Sequence, residues 1–133
     1  MRAPRHPLTV PRGSAVLGAV VVGLACNACD PTPSELADRG WRAHAAVIGA
    51  GERAATCADA GAAMLRTFDA RRQAFIDAIE LEHDRERMTE AAPYLEANRQ
   101  RYADLATRMI ALSDRCADEP TVVAAFRQME TPQ

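Results

Sequence analysis

The chain has 133 residues, which is enough for one small folded domain. All of its basic residues are arginine, and alanine and glutamate are abundant, a composition that favours helix because these side chains lose little freedom on entering one. Three of the 16 basic residues and none of the 18 acidic ones fall in the first 25 positions, which leaves a net charge of −5 on the rest. An acidic body lacks the basic surface that nucleic-acid binding needs, so we expect no nucleic-acid partner.

The first 25 residues are typical of a secretory signal peptide. Arg2, Arg5 and Arg12 precede an uninterrupted apolar run at 15–25. This run is too short for a mature membrane span, which needs about 20 apolar residues, and it matches the central region of a signal peptide. We therefore expect export, with residues 1–25 removed. The alternative is an N-terminal anchor that is never cleaved.

The end of this leader, Gly23-Leu24-Ala25-Cys26, resembles the signal of bacterial lipoproteins, which place a cysteine directly after small and aliphatic residues. The resemblance covers the leader only. It implies a lipid on Cys26 and attachment to a membrane of the cell envelope, followed by a short tether at 26–32. Cleavage by an ordinary signal peptidase is the alternative.

Apolar residues recur every three or four positions after the tether, the spacing of amphipathic helices. Thr32 can cap the first helix, with Pro33 at its first position and Glu35 reaching back to the cap. Either Asp118 or Glu119 can cap the last helix. The pattern predicts a helical domain at 33–130, a frayed tail at 131–133, and four helices at 33–50, 53–84, 89–116 and 119–130.

The chain is expected to reverse between residues 84 and 93, where Thr89 can cap a new helix and Pro93 then falls in its first turn. Cys57 and Cys116 lie at nearly equal distances on either side of this reversal, so an antiparallel hairpin places them side by side. Paired thiols in an exported protein usually form disulfides. We predict a Cys57–Cys116 disulfide; two free buried thiols are the alternative.

Motifs for chemistry are weak. Glu80 and His83 have the Glu-x-x-His spacing of helical di-iron proteins, but such a site needs a second pair, and His44 has no glutamate three residues before it. Glu80 and His83 are therefore weak metal candidates. Cys26 and Cys29 form a C-x-x-C pattern with neither the histidine of a haem site nor the second pair of a zinc site. No catalytic residue and no cofactor is predicted.

These patterns together predict an all-α protein, a small helical bundle centred on a long antiparallel hairpin and closed by a disulfide. We expect an exported, lipid-anchored protein of the bacterial cell envelope or periplasm that has no catalytic activity. Its long helices should leave part of an apolar stripe exposed for protein contacts, either in a homodimer or with an envelope partner. The alternative is a periplasmic helical bundle that binds a ligand or a metal.

Overall fold

The computed structural model describes residues 29–133, and the predicted signal peptide and Cys26 lie outside this range. Throughout residues 29–133 the regular structure is helical, and no strand occurs there. The all-α bundle predicted from the sequence is confirmed. Its helices are α1 (Pro33–Glu52), α2 (Cys57–His83), α3 (Arg85–Ala97), α4 (Arg99–Arg115) and α5 (Pro120–Glu130).

The first and last helices begin where the sequence predicts. The amide of Glu35 donates to Thr32 Oγ1 at 3.2 Å, and the amide of Thr32 donates to a carboxylate oxygen of Glu35 at 2.8 Å. This reciprocal arrangement satisfies two amides that the first turn leaves without helical partners. At α5 the cap is Glu119, whose carboxylate accepts from the amide of Thr121 at 3.3 Å.

The predicted boundary between the first two helices is wrong by several residues. Helix α1 runs through Gly49 and Gly51 to Glu52, and α2 begins only after its cap, Thr56, which accepts from the amide of Asp59 at 3.1 Å. Gly51 lies inside α1 and does not end it, and its lack of a side chain allows close packing against α4. A Cβ on it would lie 2.7 Å from the side chain of Leu112.

The single third helix predicted at 89–116 is also wrong, because two helices occupy this stretch. Asp84 caps α3 by accepting from the amide of Arg87 at 3.1 Å, so Thr89 and Pro93 lie inside that helix. The chain leaves helical geometry at Asn98, where φ is −110° and ψ is 10°, and then enters α4. Helices α3 and α4 together run back towards the start of α2, as the predicted hairpin requires, and they pack mainly on α1.

The predicted disulfide is present. Cys57 and Cys116 are bonded, with Cα atoms 5.5 Å apart, and Cys116 is only 2% exposed. Because Cys57 begins α2 and Cys116 follows α4, the bond joins the open end of the hairpin. The two cysteines are separated by 59 positions in the sequence.

Helix α1 packs antiparallel along α2, and α5 packs along α2 next to the disulfide. A Cβ on Gly61 of α2 would lie 2.0 Å from Thr121 of α5, so this crossing is close. Helix α4 is joined to α1 by Arg108, which donates to both carboxylate oxygens of Glu52 at 2.9 and 2.6 Å. Four helices, α1, α2, α4 and α5, therefore share the main core.

The core has a larger and a smaller part. The aromatic and methionine stripe of α2 is fully buried, which confirms its interpretation as core. The main core comprises Ala43, Val47, Ile48, Ala60, Met64, Phe68, Phe75, Leu105, Leu112, Cys116, Val122, Ala125 and Met129. A smaller cluster of Leu36, Ala37 and Leu81 lies where α3 covers the outer ends of α1 and α2.

Candidate functional site

A cavity of about 300 Å³ lies where α1, α2, α3 and α4 meet, between the two parts of the core. Several of the residues that line it are small: Ala37 and Gly40 on α1, Ala78 on α2 and Ala106 on α4. The walls are predominantly apolar. The lining residues are Ala37, Gly40, Trp41, His44, Ala78, Leu81, Glu82, Met88, Leu95, Tyr102, Leu105, Ala106 and Met109.

A second cavity, of about 280 Å³, adjoins the first on the side of α5. The two share four lining residues, His44, Ala78, Glu82 and Met109. The second adds Ile79, Phe126, Met129 and Glu130 to its wall. We call the two cavities together the His44 site, because the ring of His44 lies at their common boundary.

The ring of His44 is mostly buried and has a defined protonation pattern. Its Nδ1 lies 2.9 Å from the carbonyl oxygen of Gly40, and its ring centroid lies 4.5 Å from that of Phe75. Because a carbonyl only accepts, Nδ1 carries the proton, and neutral His44 keeps Nε2 as an acceptor. Burial lowers the pKa of His44, although the Gly40 carbonyl and the charge of Glu82 oppose this shift.

The two aromatic donors in the wall of the first cavity are already engaged. The hydroxyl of Tyr102 donates to the carbonyl oxygen of Ala37 at 3.1 Å, and the indole of Trp41 donates to that of Arg101 at 3.2 Å. Burial is the main reason that the pKa of Tyr102 is raised to about 12, so its phenol keeps its proton at neutral pH. The polar groups left for a ligand are therefore acceptors.

One carboxylate positions the wall that α3 and α4 contribute. Asp38 of α1 accepts from the hydroxyl of Tyr94 at 2.6 Å and lies 3.5 Å from the guanidinium of Arg101, which stacks 3.9 Å from the Trp41 ring centroid. Hydrogen bonds from Tyr94 and then Arg42 lower the pKa of Asp38. These contacts tie α3 and the start of α4 to α1.

The weak metal candidates of the sequence lie away from the His44 site. Glu80 and His83 are both exposed, and His83 Nδ1 lies 2.8 Å from the carbonyl oxygen of Ile79 in its own helix. Within residues 29–133 no three or more His, Cys, Asp and Glu side chains are grouped so as to hold a metal ion. Cys29 is an exposed free thiol.

Sequence reasoning missed the two residues that matter most here. His44 was considered only as the partner of a glutamate three positions earlier, and Glu82, whose side chain is exposed in the structure, carries no motif of its own. A signal for His44 does exist: Ala37 and Gly40 lie seven and four residues before it, on the same helix face. Small residues in that register make a recess beside the imidazole.

Comparisons with protein-family models, with curated proteins and with solved structures find no match for this chain. The helices within residues 29–133 include none that is both long and apolar enough to cross a membrane.

Proposed function

We propose that this chain is an exported, lipid-anchored protein of the bacterial cell envelope whose folded body binds a small, largely apolar ligand and performs no catalysis. The observation that carries the binding role is the apolar cavity of about 300 Å³ beside His44. Ligand sites in proteins are concave and mostly apolar, with a few polar groups that orient the ligand, and they start at about this volume.

Export is supported by two features. The leader at 1–25 has the charge and apolar run of a signal peptide. The Cys57–Cys116 disulfide is consistent with an oxidising compartment, because disulfides are rare in reducing ones. A lipid on Cys26 would hold the body at the membrane through the tether at 26–32.

A role in protein contacts is the second candidate. Neighbouring helices largely cover the apolar stripes of the long helices. Among residues 29–133, one large hydrophobic side chain is mostly exposed, that of Ile110, at 62%. Protein interfaces are centred on buried apolar and aromatic anchors. Ile110 on α4 is the natural centre of such a contact, but it is a single side chain, so we place ligand binding first.

Intact-mass analysis of the protein isolated from its native membrane tests the export and anchoring part. We expect a chain that begins at Cys26 and carries the added mass of acyl chains, and a gain of two hydrogens on reduction. A Cys26→Ser variant should lose the acyl mass, whereas Cys29→Ser should keep it. An unmodified chain starting elsewhere would contradict the anchor.

Titration of the folded body with 1-octanol tests the binding part. Trp41 is the single tryptophan and lines the cavity, so its fluorescence should change saturably. Ala106→Phe should abolish the change by filling the space. Ala103→Phe is the matched control, because Ala103 is also exposed on α4 but lines neither cavity. Equal behaviour of the two variants would refute binding at this site.

A further inference from the structure

The polar groups of the His44 site share one property: those that remain free are acceptors. Glu82 borders both cavities and Glu130 borders the second, and the side chains of both are exposed to solvent. Neutral His44 offers the lone pair of Nε2, for which residues 29–133 supply no hydrogen-bond partner. The donors of Tyr102 and Trp41 are bonded to backbone carbonyls.

The charge of the site is also one-sided. Both lining carboxylates are negative, and none of the arginines of residues 29–133 lines either cavity. Arg101 contacts the Trp41 ring but lies against Asp38 and outside the linings. The chain has 16 arginines, yet none of those in residues 29–133 lines either cavity. Two carboxylates with no lining arginine give the site a negative potential, which favours a cation.

The volume limits the apolar part of the ligand. A protein cavity of about 150 Å³ holds benzene, so one of about twice that volume suits an apolar body of roughly twelve non-hydrogen atoms. The walls around Leu81, Leu105 and Met109 offer this body no hydrogen bonds. The charged end must therefore lie at the boundary with Glu82.

We propose that the ligand of the His44 site is an organic cation, a protonated primary or secondary amine on a small apolar body, with its ammonium group donating to the Glu82 carboxylate and to His44 Nε2. This inference rests on the proposed ligand-binding function and names the ligand class. A primary or secondary ammonium meets the requirement because it carries positive charge and N–H donors together. A carboxylate would face two like charges, and an alcohol would supply one donor and no charge.

Three probes with the same eight-carbon chain test this: octylammonium, 1-octanol and octanoate. The binding of each is followed by Trp41 fluorescence, the two ions below their critical micelle concentrations and octanol below its solubility limit. We expect octylammonium to bind about two- to fivefold tighter than octanol, the range that an ion pair with an exposed carboxylate allows, and octanoate to bind weakest. Added salt should weaken octylammonium binding and leave octanol binding nearly unchanged.

The variants are Glu82→Gln and its matched control Glu80→Gln. Both residues are exposed carboxylates of α2, but Glu80 lines neither cavity. Glu82→Gln should lose most of the preference for octylammonium over octanol, while Glu80→Gln should keep it. Circular dichroism on both variants checks that the helices remain.

The outcomes separate this inference from the function it rests on. If all three probes bind in a way that Ala106→Phe abolishes, but octylammonium has no advantage, the cavity binds ligands and the cation assignment is overturned. Octanoate binding tightest would overturn it as well. If none of the probes binds, the ligand-binding function and the cation assignment both fall.

Discussion

Gly40 of α1 lies so close to Ala78 of α2 that a Cβ added to Gly40 would be 2.8 Å from the Cβ of Ala78. This contact lets the two helices approach beside the His44 site, where both residues line the first cavity. A methyl group in this position meets a Cβ fixed to another helix, so one backbone has to move.

We expect Gly40→Ala to destabilise the fold by about 1–3 kcal/mol, the usual cost of overpacking, reduced by the better helix propensity of alanine. Denaturant unfolding followed by circular dichroism measures this. Gly49→Ala is the control, because its Cβ would meet only the guanidinium groups of Arg53, at 3.0 Å, and Arg108, at an ordinary contact distance of 3.8 Å. That variant should be neutral or more stable by up to about 1 kcal/mol. A more stable Gly40→Ala protein would contradict the close crossing.

Removing the disulfide should cost the fold much of its stability. A bond between cysteines 59 positions apart can contribute roughly 4 kcal/mol in the chain-entropy treatment, although strain often reduces the figure. We expect the double variant Cys57→Ser, Cys116→Ser to unfold at clearly lower denaturant than the oxidised protein and to be unaffected by reductant. Cys29→Ser, at an exposed free thiol, should match the parent protein. Equal stability of the reduced and oxidised proteins would contradict a structural clamp.

The hydroxyl of Tyr94 should matter for the attachment of α3. It donates to Asp38 at 2.6 Å across 56 residues of sequence, and α3 contributes little to the main core. We expect Tyr94→Phe to destabilise the protein by about 1–2 kcal/mol and to speed amide hydrogen exchange in α3 more than in α2. Uniform loss of protection along the chain would show that α3 is not a separate unit. Thr89→Ala, which removes a local hydroxyl on the same helix, is the control.

His44 should make stability depend on pH. Burial lowers the pKa of His44 in the folded state, so the unfolded chain takes up the proton first as the pH falls through the ordinary histidine value of about 6.5. Neutral His44 therefore makes its full contribution to the free energy of unfolding above about pH 6.5. Below that pH the free energy of unfolding falls by at most about 1.4 kcal/mol per pH unit.

Unfolding midpoints measured from pH 7.5 to pH 5.5 test this slope. His44→Gln should flatten the dependence, and His83→Gln should retain it because the ring of His83 is exposed. If His44→Gln shows the same slope as the parent protein, the buried imidazole is not its source.

The features that could be predicted from the sequence are mainly those that depend on residues close together in the chain. Thr32 with Glu35, and Glu119 with Pro120, are contacts within one helical turn, and the interpretation of those helix starts was correct. The pairing of Cys57 with Cys116 was also predictable, because a hairpin with a central reversal fixes which positions meet. The helical character of these stretches and the closing bond were therefore predictable from the sequence, whereas the break at Asn98 was not.

Only the tertiary structure decided how α1, α3 and α4 meet and what space they leave. The sequence around Gly51 is typical of a helix end, but Gly51 lies inside α1, where an added Cβ would clash with the side chains of Leu112 and Met64. Tyr94 donates a hydrogen bond to Asp38, and Arg108 donates to Glu52, each across 56 positions in the sequence. The spacing of apolar residues within a helix does not specify such pairs. The recess beside His44 is a gap between side chains of three or more helices, and its volume depends on how closely their backbones approach. Local patterns determine which residues share a helix face, whereas the meeting of those faces determines the site.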